Sequence, residues 1–112
     1  MKVIKRKEIN PYTVSDKVRF RNVDRTLDLY VRTTATALMV NLRASQERLS
    51  QVTDQSDPEA KTAAARFFAE SIFGKDAEKL MAFYGDPMAV IAALGIYFDQ
   101  RLKFKITKAQ KR

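Results

Sequence analysis

Two Asp-Pro pairs constrain this chain more than any other feature, because each fixes where a helix begins. Asp57-Pro58 and Asp86-Pro87 place a side-chain acceptor at the N-cap and a proline at the first helical position, where no N–H is needed. The first pair predicts a helix from Pro58 to Phe73, ended by Gly74 in the conformation of a C-cap. The second opens a last helix that is apolar on two sides, which is typical of a helix buried in a bundle.

Spacing predicts two further helices. Asp76 caps a short one that ends at Gly85. Upstream, apolar residues recur three, four or seven positions apart, which predicts that the longest helix begins after Asp24 and ends near Leu49. These residues are Leu27, Tyr30, Val31, Leu38, Met39, Leu42 and Leu49. The polar stretch that follows has no apolar face and is expected to be a loop.

The expected β structure lies in the N-terminal part, although "TTATALMV" within the predicted long helix would also pass as a strand on propensity alone. In "KVRFR", Val18 and Phe20 alternate with basic residues, as in a half-buried strand. The expected fold class is mainly α: a small helical bundle of about four helices, with a short N-terminal β-strand or hairpin as an addition. At 112 residues the chain is expected to form a single domain. Its parts are a basic N-terminal segment (1–22), a helical core (24–104) and a basic C-terminal tail (105–112).

Residue types that carry much of enzyme chemistry are missing. The sequence contains no Cys and no His, so it lacks thiolate nucleophiles, the commonest general base and the commonest transition-metal ligand. None of the three glycines belongs to a phosphate-binding loop. We therefore expect a protein that is not an enzyme, with no catalytic, cofactor-binding or metal-binding residues.

Positive charge is concentrated at the two ends of the chain. The net charge is +8, with eight Lys or Arg against three acids in residues 1–25 and six against none in residues 101–112. These ends are either solvated termini that maintain solubility or a surface that binds nucleic acid or an acidic partner. The basic residues for the second interpretation are Lys2, Lys5, Arg6, Lys7, Lys103, Lys105, Lys108, Lys111 and Arg112.

No membrane contact is predicted. The longest uncharged apolar-rich stretch, 87–98, is much shorter than the roughly 20 residues that span a bilayer, and the N-terminus lacks the apolar run of a signal peptide. We expect an intracellular protein.

The second half of the chain resembles a known family. A helix ending in "FFAESIFG" is followed by "KDAEKLMAFYGDP" and then by the apolar "MAVIAALGIYFDQRL", which runs into the basic "KITKAQKR". This order is similar to that of the small tail assembly chaperones of long-tailed bacteriophages, especially phages of Gram-positive hosts. The resemblance implies a non-enzymatic chaperone that binds the tape measure protein and keeps it soluble during tail assembly.

The resemblance also implies a location and partners. The protein would act in the cytoplasm of the infected host cell and be absent from the mature virion. Its partners would be the tape measure protein and, as a second candidate, the tail tube protein, and self-association is expected. Apolar grooves between helices suit a long helical client. The residues expected at the client surface are Phe67, Phe68, Phe83 and Tyr84, although core packing explains the same aromatic residues.

Two other classes of function stay open. A small basic nucleic-acid-binding protein would use the charged ends, and its affinity would fall steeply with salt. An oligomeric structural or connector protein of the phage would use the same apolar faces to build a permanent ring, and would be retained in the finished particle.

Overall fold

An alternating apolar pattern builds an antiparallel hairpin at the start of the fold. The computed structural model describes residues 12–110, which begin with β1 (Thr13–Asn22) and β2 (Arg25–Thr34), paired along their whole length. One face of the hairpin is buried through Val18, Phe20 and Leu29, and the side chains between them reach solvent. The strand predicted at "KVRFR" is confirmed as part of β1, and its partner is the segment 25–34, which was predicted to be helical.

The second strand corrects the prediction of a long helix that begins after Asp24. Asp24 lies in the turn between the paired residues Asn22 and Arg25, and α1 (Ala35–Leu49) starts ten residues later than the start of β2 at Arg25. The N-cap is Thr34, whose hydroxyl accepts a hydrogen bond from the N–H of Ala37 at 3.2 Å. The helical spacing within 25–34 was misleading because the same segment also alternates, and pairing with β1 satisfies its backbone.

The three helices predicted from Asp-Pro pairs and glycines are confirmed as α2 (Pro58–Phe73), α3 (Ala77–Tyr84) and α4 (Pro87–Tyr97). Of the three expected side-chain caps, Asp86 accepts a hydrogen bond from the N–H of Met88, whereas Asp57 and Asp76 make no such bond. The last helix of the described chain is α5 (Lys103–Gln110). A 3-10 turn at Gly74–Asp76 precedes α3, and a π-helical turn at Phe98–Leu102 joins α4 to α5 in one continuous segment. Gly85 has a φ of 70°, as expected of a left-handed C-cap.

The predicted fold class is wrong, because the described chain is not a bundle of about four helices. Three long helical segments, α1, α2 and 87–110, pack with the short α3 against the buried face of the hairpin. Residues 25–34, which the predicted bundle used in its longest helix, belong to β2. The apolar face of the sheet thus takes the place of a helix in the core.

The last helical segment is buried along one side, not two. Val90, Leu94 and Tyr97 are in the core, whereas Ile96 and Phe104 are exposed. Its outer side is therefore available for contacts. Within residues 12–110, no helix has the length and apolar character needed to cross a membrane.

Candidate functional site

An open groove lies between the C-terminal half of α1 and the N-terminal half of α2. Its volume is about 600 Å³, which falls in the usual range for ligand pockets. The side chains that α2 contributes at Ala60 and Ala63 are small and leave space between the two helices. The groove is lined by Ala44, Glu47, Arg48, Gln51, Val52, Ala60, Ala63 and Phe67.

Phe67 forms an aromatic wall of this groove, called here the α1–α2 groove. Its ring is half-buried, and the guanidinium of Arg48 lies 4.7 Å from the ring centroid, a distance typical of a cation–π contact. Behind it, the buried hydroxyls of Ser45 and Ser71 hydrogen-bond each other across the two helices. Because both serines also bond to backbone carbonyls, this polar contact fixes how α1 and α2 pack below the groove.

The four aromatic residues predicted to contact a client do not form one surface. Phe68 is buried in the core. Phe83 and Tyr84 are half-buried and contact each other, with ring centroids 5.0 Å apart. They pack at the tip of the hairpin, where the carbonyl of Phe83 accepts hydrogen bonds from Asn22 and Arg25. Only Phe67 lines the α1–α2 groove.

A second groove runs between the outer edge of β1 and α4, and is called here the β1–α4 groove. Its volume is about 290 Å³. Consecutive residues of β1 line one wall, so the backbone of the strand itself faces the groove. The lining residues are Val18, Arg19, Phe20, Arg21, Tyr84, Ala93, Ile96, Tyr97, Gln100 and Arg101.

A buried carboxylate joins this edge of the hairpin to the last helical segment. The side chain of Asp16 is only 4% exposed. It accepts hydrogen bonds from the Tyr97 hydroxyl at 2.8 Å and from Arg101 at 2.6 Å, and the ammonium of Lys105 lies 3.7 Å away. Two cations and a hydroxyl thus satisfy a charge that would be costly to bury alone.

The cluster around Asp16 keeps Tyr97 protonated. Burial is the main cause that raises the pKa of Tyr97, and the hydrogen bond to the Asp16 carboxylate raises it further. A tyrosine held in this state donates a hydrogen bond and is a poor proton acceptor. The arrangement therefore suits a structural contact between β1 and α4 better than acid–base chemistry.

Asp16 was missed at the sequence level, although a signal was present. It lies between Val14 and Val18 on the apolar side of an alternating strand, where a charged residue needs a partner. Its partners Tyr97 and Arg101 lie 81 and 85 positions further along the chain. Spacing within one element cannot identify such a pair.

The outer face of the hairpin is basic and partly neutralised. Arg19 donates two hydrogen bonds to Asp28 on β2, at 2.8 and 3.2 Å, and this contact holds the pKa of Asp28 below its usual value. Lys17 is 3.8 Å from the same carboxylate. Arg21 and Arg32 are also exposed on this face, so the surface keeps a positive balance.

Three of the basic residues predicted to bind nucleic acid lie within the described part of the chain. Lys105 contacts Asp16, Lys103 lies 5.5 Å from the ring centroid of Phe104, and Lys108 is exposed. The remaining predicted basic residues lie outside the described residues: Lys2, Lys5, Arg6, Lys7, Lys111 and Arg112. Through Asp16 the fold places β1 beside residues 101–105, so positive regions that are far apart in sequence adjoin in space.

Comparisons with known proteins do not add a relative. No family model matches the chain, and neither the curated proteins nor the solved structures contain a significant match.

Proposed function

We propose that this protein is a non-enzymatic tail assembly chaperone, which binds the tape measure protein of a long-tailed phage and keeps it soluble during tail assembly. The observation that carries the proposal is the open α1–α2 groove. It combines the ring of Phe67 and small apolar side chains with a larger polar surface, and an amphipathic helix could place its apolar face on the first and its polar edge on the second. The resemblance of the second half of the chain supports the same function, and α2 contributes residues to both.

The chemistry of the α1–α2 groove suits a transient client. Its apolar surface comes from Ala44, Ala60, Ala63, Val52 and Phe67, and polar groups of Glu47, Arg48 and Gln51 border it. Such a surface covers apolar side chains of a helix without a demand for one sequence. A chaperone of this kind acts in the cytoplasm of the infected cell, is released before the virion is complete, and gains avidity if several copies bind one long client.

Co-expression with the tape measure protein tests this function. The tagged wild-type protein is expected to keep the client in the soluble fraction and to retain it during purification in 1 M NaCl, since burial of apolar surface is not screened by salt. Ala63→Glu places a carboxylate in the α1–α2 groove and is expected to abolish retention. Val40→Glu is the matched control, because Val40 is an exposed apolar residue of α1 outside the groove lining.

Two results would contradict the chaperone proposal. One is a client that stays insoluble with the wild-type protein. The other is equal retention by Ala63→Glu and Val40→Glu, with both variants folded by circular dichroism. In that case the α1–α2 groove would not be the client site.

Nucleic-acid binding is the second candidate function, and one observation favours it. Lys17, Arg19 and Arg21 are exposed bases of β1, and Arg101 and Lys105 lie beside this strand because both contact Asp16. A nucleic-acid binder would show an affinity for mixed-sequence DNA that falls with salt, as counterions are released from the phosphates. Titration of labelled single- and double-stranded oligonucleotides at 50 and 200 mM NaCl distinguishes it from the chaperone.

A further inference from the structure

The outer edge of β1 carries backbone groups that β2 does not use. Asn22 and Arg25 flank the hairpin turn and pair with each other, so the even-numbered residues of β1 exchange hydrogen bonds with β2. The odd-numbered residues point their N–H and C=O groups the other way. Two contacts agree with this direction, because the carbonyls of Lys17 and Arg21 accept hydrogen bonds from Arg101 and Tyr84 at 3.4 and 3.1 Å.

Arg19 lies between those two residues at the open part of the edge. Among the described residues, no contact engages its backbone N–H or C=O. Both groups face the β1–α4 groove, whose opposite wall includes Ile96, a side chain that is 57% exposed. An edge with free backbone groups beside an apolar wall is a template for one more strand.

All the charged side chains that line the β1–α4 groove are positive. Three of the residues that line the β1–α4 groove are arginines, at positions 19, 21 and 101, and none of the lining residues is acidic. Asp16 and Asp28 contact basic residues of this edge, and both are paired with arginine. The edge therefore complements negative charge.

We propose that the outer edge of β1 binds an extended acidic peptide, which adds to the hairpin as a third strand and covers the β1–α4 groove. Its backbone pairs with Arg19 and then with Lys17 and Arg21. Arg101 gives up its long contact with the Lys17 carbonyl and keeps its 2.6 Å contact with Asp16, and Tyr84 gives up its 3.1 Å hydrogen bond to the Arg21 carbonyl. This site is separate from the α1–α2 groove and does not depend on it.

The pleat of the strand defines the pattern of side chains in the peptide. Residues paired with Lys17, Arg19 and Arg21 point to the basic outer face and are expected to be Glu or Asp. Residues between them point to the groove side, toward Phe20 and Ile96, and are expected to be apolar. The matching sequence alternates acidic and apolar residues over about five positions.

A second copy of this chain fits the edge poorly. Antiparallel pairing of two β1 strands about Arg19 would place Arg19 opposite Arg19 and Lys17 opposite Arg21, and like charges in direct opposition destabilise a sheet. A nucleic acid meets the positive charge, but it has no peptide groups to pair with the Arg19 backbone.

The probe is a fluorescein-labelled heptapeptide, Val-Glu-Val-Glu-Val-Glu-Val, titrated with the full chain by fluorescence anisotropy. N-methylation of the central Glu removes an N–H that faces β1 and is expected to weaken binding by about tenfold. N-methylation of the neighbouring Val alters an N–H that faces solvent and is expected to change binding by less than about threefold. The Lys-Val peptide of the same pattern is expected not to bind.

Protein variants test the same site from the other side. Arg19→Pro and Arg19→Ala remove the same charge, but only the proline also removes the backbone N–H. An edge strand tolerates proline at this position because the N–H of residue 19 points away from β2. Arg19→Pro is therefore expected to bind at least about tenfold more weakly than Arg19→Ala. If the proline variant does not fold, Ile96→Glu is expected to abolish binding, whereas Val40→Glu, which lies outside the groove, is expected to leave it unchanged.

Hydrogen exchange of the Arg19 amide distinguishes an added peptide strand from a bound oligonucleotide or a second copy of the chain. Slower exchange in the presence of the Glu-Val peptide is expected if the peptide adds as a strand. Equal affinity of both N-methylated peptides would overturn the proposal. It would also be overturned if an oligonucleotide competed for the site while the Arg19 amide stayed unprotected, or if the amide became protected only as a dimer formed at high protein concentration. The chaperone assay has its own variants, so either proposal can fail alone.

Discussion

The hairpin turns at Val23, a residue whose backbone conformation is unfavourable for its side chain. Val23 has a φ of 58°, and no other non-glycine residue of the described chain has a positive φ. A positive φ at the first central position of a two-residue turn is the pattern of type II′, where glycine is preferred. For a β-branched residue this conformation costs about 1–2 kcal/mol.

Replacement of this residue is expected to stabilise the protein. Val23 is 89% exposed, so Val23→Gly loses almost no packing. After the entropy cost of glycine, the free energy of unfolding is expected to rise by about 0.5–1 kcal/mol, a few degrees in the midpoint of thermal unfolding. Val23→Ala keeps the Cβ atom and serves as the control. A decrease in stability with glycine would show that the side chain of Val23 makes a contact that matters.

Tyr97 gives the protein a defined sensitivity to alkali. Its pKa is raised in the folded state, so above pH about 10 the unfolded chain loses a proton that the folded chain retains. Stability from Tyr97 is therefore complete below pH 10 and is lost as the pH rises further, by about 1.4 kcal/mol per pH unit.

Tyr97→Phe is expected to cost about 1 kcal/mol at pH 7 through the lost hydrogen bond to Asp16. The difference from wild type should disappear near pH 11, because the variant has no proton to lose at this position. Burial also raises the pKa of Tyr84, but that residue is present in both proteins and cancels in the comparison. Urea unfolding at pH 7, 9, 10 and 11 measures the difference, and a constant value over this range would contradict the assignment.

At the scale of elements, the ends of helices could be predicted from the sequence, whereas the pairing of one segment with another could not. Pro58, Gly74 and Gly85 act through their own backbone, so sequence alone located the ends of α2 and α3. Residues 25–34 fit a helix or a strand equally well by pattern, and the choice depended on β1 as a partner. The same holds for the α1–α2 groove. Phe67 was predicted as a contact residue, but its contact with Arg48 depends on how α1 and α2 pack, which the spacing within one helix does not reveal.

The π-helical turn at Phe98–Leu102 corresponds to a break in the helical spacing of apolar residues. Buried residues occur at Leu94 and Tyr97 and then at Leu102, a step of five where an α-helix would require three or four. A wider turn absorbs the extra residue and keeps α5 packed on the core. The exposed Gln100 lies within this turn.

Deletion of Gln100 is expected to convert the turn to α-helix and to leave Leu102 and Ile106 facing the core. The free energy of unfolding should change by less than about 1 kcal/mol, which is small for a deletion within a helix. Deletion of the exposed Glu70 in α2 is the control. It rotates Ile72 and Phe73 by about 100° away from the core and is expected to prevent folding. Thermal unfolding followed by circular dichroism would compare them, and equal loss in both deletions would contradict the role of the π-turn.

Across the whole molecule, a two-stranded hairpin holds its shape only because the helices cover one face. An isolated hairpin is marginal in water. Phe20 connects the two parts, since its ring lies 5.7 Å from that of Phe73, 6.4 Å from Tyr84 and 6.5 Å from Tyr97. One strand residue thus contacts α2, α3 and α4, and this convergence could not be read from the sequence.

This geometry predicts that the hairpin and the helices unfold together. Phe20→Ala is expected to lower the free energy of unfolding by about 3–5 kcal/mol, as for other buried Phe residues. The amides of Leu29 in β2 and Leu94 in α4 should lose the same protection against hydrogen exchange, because both open only in the global transition. Tyr30→Ala, on the exposed face of β2, is the control and should change stability by less than about 0.5 kcal/mol.

If Leu29 exchanged faster while Leu94 kept its protection, the hairpin would open by itself. The outer edge of β1 would then be an intermittent surface, and strand addition there would have to restore the hairpin before it could bind a peptide.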